Sequence, residues 1–273
     1  MFLQLNNIMK VGTFIILCTL CFVSNVKAET TEEDYNKLRS IFSDARISLM
    51  SDAEKAIYTD NEVTVDKKLY KGTLTVNNTY TYEEIDPSLA DDIEANSQIS
   101  TYDAFYQTTY KQISLIDVAL SNNVHQLTVY TQWLITPVTQ SYDVTAMRVE
   151  DAYIVEGTQT GLQVYKKNGV VGSVNYSPNG TNIRKEDDGF GISMNLVNNA
   201  TSYETDISAN VVATSQYAKA YGTYQHAVTD VTLDASQSYF ISHNGFGGVL
   251  NFATGVQNWY DGMNGVSISL SYS

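Results

Sequence analysis

KQISLIDVALSNNVHQLTVYTQWLI, residues 111–135, is the stretch on which the fold turns. Lys111 to Leu120 and Val124 to Ile135 read as two strands flanking Ser121-Asn122-Asn123, and Asn tolerates the left-handed backbone that a tight hairpin needs. In the second strand Leu127, Val129, Trp133 and Ile135 share one face, and Pro137 stops the run because it has no N–H for a ladder.

The same grammar repeats downstream. Tyr142 to Val149 is a strand; Leu162–Tyr165 and Val170–Tyr176 flank Asn168-Gly169, the strongest hairpin signal in the chain. Phe190, Ile192, Met194 and Leu196 fall on one face, with Ser193 and Asn195 on the other. Asn198-Asn199 turns the chain into a Ser/Thr-rich strand, Thr201 to Ser215. Val266, Ile268, Leu270 and Tyr272 alternate with Ser267, Ser269 and Ser271 in a final half-buried strand. Ala220 to Phe252 reads as strand, Asp234-centred turn, strand, glycine bend and strand. Upstream, Val63–Val65, Leu74–Val76 and Tyr80–Tyr82 alternate with period two, and the acidic stretch Glu83 to Thr101 reads as a long surface loop with room for one helical turn. About ten strands joined by hairpins predict a mainly β protein, an antiparallel β-sandwich or barrel-like body. The lack of intervening helices excludes a parallel α/β sheet.

The N-terminal side differs. Thr31 to Tyr58 predicts an amphipathic helix, opened by a Thr30/Glu33 capping box and striped by Tyr35, Leu38, Phe42, Ala45 and Leu49. Ser51 with Glu54 repeats the box, so a second short helix is expected from Asp52. Ahead of it, Val11 to Val23 is apolar or small and Val26-Lys27-Ala28 fits a signal-peptidase site, which predicts a cleaved signal peptide over 1–28. The expected layout is 1–28 leader, 29–60 helical segment and 61–273 antiparallel β-rich domain.

Both cysteines, Cys18 and Cys21, lie in that leader, so the mature chain is cysteine-free; with export this points to a Gram-positive bacterium. The whole chain has 16 basic and 30 acidic residues; loss of Lys10 and Lys27 leaves 14 against 30, net −16. Such acidity disfavours nucleic acid and anionic lipid as partners, and the mature chain has no stretch expected to span a membrane stably.

Site signals are sparse. His125, His226 and His243 lack zinc spacing, no Gly-x-Ser-x-Gly elbow occurs, and Gly245-Phe246-Gly247-Gly248 sits between strands where a phosphate loop would need a helix. Glu186, Asp187 and Asp188 offer oxygen ligands for Ca²⁺ but lack the alternating spacing of a dedicated loop, so a solvated acidic turn with no cofactor is the default. Of 20 tyrosines, Tyr221 and Tyr224, with His226 and His243 nearby, form the candidate binding face; cross-strand packing explains the same residues.

Trp133-Leu134-Ile135-Thr136-Pro137, Ser141 to Arg148, Gly189 to Met194, Tyr221 to Ala227 and Tyr260 to Val266 together make the chain similar to a group of uncharacterised secreted β-rich proteins of Gram-positive, Firmicute-type bacteria. The resemblance implies export and a β-rich body, and it supplies no activity and no catalytic residue. The leading expectation is a secreted, non-enzymatic module that binds a cell-surface or extracellular partner, released or loosely wall-associated. A pore-forming or membrane-active β protein is the second reading, resting on Thr201–Ser215 and the alternating last strand. A cell-wall hydrolase is the third, and no catalytic motif supports it.

Overall fold

The computed structural model describes residues 30–74, 80–96, 107–241, 249–261 and 265–272. The expected leader, His243 and the Gly245–Gly248 cluster lie outside the described residues.

Three short helices come first: α1 (Glu32–Arg39), α2 (Asp44–Leu49) and α3 (Asp52–Thr59). The expected continuous helix is broken because Ser43 caps a new one, its hydroxyl accepting from the Arg46 N–H. The first cap also sits one residue later than expected: Thr31 and Asp34 form the reciprocal box. Ser51 caps α3 as the sequence predicts. Of the apolar stripe, Leu38 and Phe42 are buried, whereas Leu49 is exposed.

The strands then follow: β1 (Glu62–Leu74), β2 (Tyr80–Ile85), β3 (Gln107–Ser121), β4 (Val124–Ile135), β5 (Tyr142–Glu150), β6 (Ala152–Ile154), β7 (Thr160–Lys167), β8 (Val170–Tyr176), β9 (Ile183–Glu186), β10 (Gly189–Asn195), β11 (Ser202–Ala213), β12 (Lys219–Gln225), β13 (Tyr239–Ile241), β14 (Leu250–Phe252) and β15 (Val266–Ser269). Between β2 and β3 the acidic stretch is not merely a loop: a 3₁₀ turn at Pro87–Leu89, capped by Asp86, runs into α4 (Ala90–Asn96). The turn expected at Asp234 is a single helical turn, α5 (Leu233–Ser236), capped by Thr232.

Two antiparallel sheets face each other. The larger runs β2-β1-β3-β4-β11-β7-β8, with β6 pairing the end of β11; the smaller runs β15-β12-β5-β10-β9. Their inner faces share one core: Ile113, Leu115, Leu127, Val129, Tyr203 and Ile207 from the large sheet meet Met147, Val149, Phe190, Ile192, Met194 and Val266 from the small one. The period-two runs put one apolar set inside, which fixes the register. Outside the large sheet, α1–α3 cover Ile116, Val118 and Tyr130 with Leu38, Ile41, Phe42, Ile47 and Tyr58. Outside the small sheet, β13 and β14 cover Val144 and Ala146. The molecule is therefore a β-sandwich with a helical layer on one side.

The β7–β8 hairpin turns through Asn168 (φ 53°) and Gly169 (φ 79°), the doubly left-handed pair that matches strand twist. The Asn122-Asn123 turn corrects the other hairpin expectation: neither residue has positive φ, and the reversal instead uses a register shift between Ala119 and Ser121. A second shift, between Tyr110 and Lys111, sets Lys111 directly opposite Trp133 and leaves Leu134 unpaired in the ladder. Thr201–Ser215, the stretch that favoured a membrane-active reading, is built around β11, a central strand paired on both sides with Tyr203 to Ile207 buried.

Candidate functional site

The strand parity that builds the core also carries polar side chains into it. Lys111 lies on the inner face of β3 in step with Ile113 and Leu115. Asp143 lies on the inner face of β5 in step with Met147 and Val149. Tyr224 lies on the inner face of β12, and His226 follows two residues later. Asp261 arrives from the segment after β14, joined to His226 by a backbone bond from the Asp261 N–H to the His226 carbonyl at 3.0 Å. Lys111, Asp143, His226 and Tyr224 are all 0% exposed, and Asp261 is 3%.

These groups form one network. Lys111 Nζ pairs with Asp261 Oδ2, both side chains closed to solvent. Asp261 Oδ1 accepts the backbone N–H of His226 at 2.8 Å. Asp143 accepts from the Tyr224 hydroxyl, from the Ala227 N–H at 2.9 Å and from His226 Nδ1 at 3.0 Å. An ionised carboxylate only accepts, so the His226 nitrogen that faces it carries the proton. Trp133 Nε1 donates to the Tyr224 oxygen at 2.9 Å and packs its ring edge-on against His226. Three rings roof the amine: Nζ is 4.3 Å from the Tyr82 centroid, 5.1 Å from Trp133 and 5.3 Å from Tyr224. Gly72 leaves the room for this, since a Cβ there would stand 2.7 Å from Tyr82 Cε1 and 2.8 Å from Thr109 Oγ1.

Burial sets the proton affinities. It pulls the Lys111 amine below the usual lysine range, against the opposing pull of Asp261. It pushes the Tyr224 phenol far up, and Asp143 pushes the same way, so Tyr224 stays a donor.

The candidate face Tyr221, Tyr224, His226 and His243 is thus divided. Tyr224 and His226 point into the sandwich and present nothing to an external ligand. Tyr221 is on the opposite face of β12, its hydroxyl donating to Glu150 at 2.8 Å and the Arg148 guanidinium 3.9 Å over its ring. Glu186, Asp187 and Asp188 sit at the β9–β10 turn. Glu186 is occupied by the Ile241 N–H at 2.9 Å, and no group of three or more His, Cys, Asp or Glu among the described residues is arranged to hold a metal. His125, the remaining histidine, bridges Asp117 (2.8 Å) and the Ser271 carbonyl (2.9 Å) inside the sandwich.

A second buried network lies across the large sheet, under the helices. Arg46 pairs with Asp206 at 2.5 Å and with Glu54, while Glu204 accepts from Ser43 Oγ at 2.7 Å and Tyr130 at 2.8 Å. Burial by itself would weaken the Arg46 cation, but the two carboxylates beside it raise its proton affinity overall. Beside this network, on the same outer face, a cleft of about 870 Å³ opens between the α1–α2 segment and the Pro87–Glu94 segment. Gln112 and Gln132, cross-strand partners in β3 and β4, form part of its wall with Ser202, and Lys67, Lys166 and Asp91 also line it.

No family model matches the chain, and no curated protein matches it. Three solved structures show local likeness. The pilus backbone protein RrgB from Streptococcus pneumoniae is 10% identical with a TM-score of 0.26, covering 39% of this chain and 25% of that one. The collagen-binding domain of the Erysipelothrix rhusiopathiae surface protein RspB is 10% identical with a TM-score of 0.28, covering 59% and 64%. TmCBM61, solved with β-1,4-galactotriose, is 8% identical with a TM-score of 0.19, covering 55% and 82%. This chain spans under two thirds of the first two, and likenesses of this size carry no argument about the site. No helix among the described residues is long and apolar enough to cross a membrane.

Proposed function

We propose that the protein is an exported, extracellular binding module of a Gram-positive bacterium and that its ligand site is the cleft between the helical layer and the large sheet. The cleft carries the reading: at about 870 Å³ it has the size of a ligand site. It combines paired side-chain amides at Gln112 and Gln132 with charges of both signs at Lys67, Lys166 and Asp91. Two aromatic residues border the cleft: Phe42 is buried edge-on against Tyr58 and Tyr130, and the Trp133 indole is turned inward to Tyr224, so neither ring is free to stack on a sugar. Amides and mixed charge without a stacking platform suit an extended polypeptide segment of an extracellular partner. The apolar leader ending at Ala28 supports export.

The test is binding of the purified protein to immobilised extracellular-matrix and cell-surface proteins, run beside wall and host polysaccharides. Lys166→Glu with Gln132→Ala is expected to weaken binding to the protein ligand by roughly tenfold or more. Binding confined to polysaccharides, or protein binding that the double variant leaves unchanged, removes the cleft as the site.

A further inference from the structure

We infer that Lys111 and Asp261 are joined by an intramolecular amide, formed by the folded protein itself. The pair consists of a primary amine and a carboxyl group held in contact with neither side chain open to water. Lys111 is fixed by its place opposite Trp133 in the ladder, and Asp261 by two bonds to His226: its own N–H donates to the His226 carbonyl, and its carboxylate accepts the His226 N–H. Holding two reacting groups this way replaces a bimolecular encounter with a local one. An ion pair sealed from water carries a desolvation penalty for each charge, and condensation removes both charges.

The atoms needed for the step are in place. A proton passes from the Lys111 ammonium to Asp261, leaving a neutral amine and a neutral acid; burial already favours the neutral amine. Nζ attacks Cγ of Asp261. The negative charge that develops on Oδ1 meets the His226 N–H, which is 2.8 Å from that oxygen in the ground state. Asp143, whose charge acts on Lys111 and which His226 links to Asp261, takes a proton from Nζ and returns it to Oδ2. The Cγ–Oδ2 bond breaks and water leaves. Amine plus acid become amide plus water, and Asp143 ends as it began. Tyr224 and His226 hold Asp143 in position through hydrogen bonds, and the Tyr82, Trp133 and Tyr224 rings keep bulk water from the amine.

Intact mass spectrometry and peptide mapping of the full chain, once its N-terminus has been sequenced, test this. The wild-type protein is expected to weigh one water less than its sequence and to yield a branched fragment joining the Lys111 and Asp261 peptides. Asp261 precedes Gly262, so ring closure onto its own backbone would also lose one water; that product is linear and is opened by hydroxylamine. Asp143→Asn is expected to fold, by near-ultraviolet circular dichroism, yet keep the full mass, and Asp143→Glu to restore the branched fragment in part. Wild-type protein of full sequence mass, with separate Lys111 and Asp261 peptides, overturns the bond. A branched fragment formed as fast in Asp143→Asn as in wild type overturns the role of Asp143.

Discussion

A cation is buried with carboxylates around it twice in this molecule, on opposite faces of the same sheet. On the outer face Arg46 meets Asp206 and Glu54 beneath the helices. On the inner face Lys111 meets Asp261, with Asp143 one hydrogen-bonded step further on, through His226. The two differ in chemistry and in wetness. A guanidinium does not give up its proton in a protein, and its planar fork serves to hold two carboxylates at once. An ammonium gives up its proton once desolvated and becomes a nucleophile. The Glu54 side chain remains 30% exposed, so the outer network keeps an edge in water, whereas both side chains of the inner pair are at 0%. The outer network fastens one layer to another; the inner one has the parts of a reaction.

The comparison breaks first at Asp261→Ala. Leaving Lys111 buried without its partner costs about 3–5 kcal/mol. Losing a cross-link between positions 150 residues apart removes about a further 4–5 kcal/mol on the chain-entropy account. Urea unfolding should therefore show a far larger loss than for the outer network; a loss no greater than that of Arg46→Met would make the inner pair an ordinary ion pair.

Arg46→Met comes next. It strands Asp206 under the helices and should lower stability by about 3–5 kcal/mol, and adding Asp206→Leu should recover all but about 1 kcal/mol. No recovery in the double variant would mean that the Arg46 cluster does more than neutralise its own charges.

The smallest effect is a pH dependence of the outer network. Burial raises the Glu204 carboxyl above its ordinary value, only partly offset by the Ser43 and Tyr130 hydroxyls. A raised carboxyl means that the folded state binds the proton more tightly than the unfolded one. Its stabilising contribution is present below the ordinary glutamate value of 4.5 and is lost as pH rises through the folded value. Wild type compared with Glu204→Gln should gain melting temperature as pH falls from neutrality toward that value; a flat difference would show that Glu204 titrates as if exposed.

Much of the architecture was legible because it rests on period and punctuation. The inward alternation from Phe190 to Met194 and the Asn168-Gly169 turn are local signals, and the structure follows both. The helical segment was legible as helix but not in its breaks, because Ser43 acts both as a cap and as a tether to Glu204, a contact 161 residues away. The site was missed for the same physical reason. The clustered tyrosines and histidines single out Tyr224 and His226, which do lie in the inner network, but they include Tyr221, which parity sends to the other face. A usable signal was present: a lysine at Lys111 in step with Ile113 and Leu115, and an acid at Asp143 in step with Met147 and Val149, are charges at core positions. Such charges need partners, but alternation alone does not say that Lys111 and Asp261 meet. That depends on how β12 and the segment after β14 pack against β3.

The position of the inner pair also bears on how the molecule would take a pull. Lys111 belongs to β3 near the middle of the large sheet, and Asp261 to the segment leading into β15 at the edge of the small one. With an amide between them, tension along the chain would cross from one to the other through two side chains. The stretch from β4 to β14 would hang as a closed loop outside the line of force, so its hydrogen-bond ladders, and the cleft wall that β4 and β11 supply, would stay folded under a load that strips the ends.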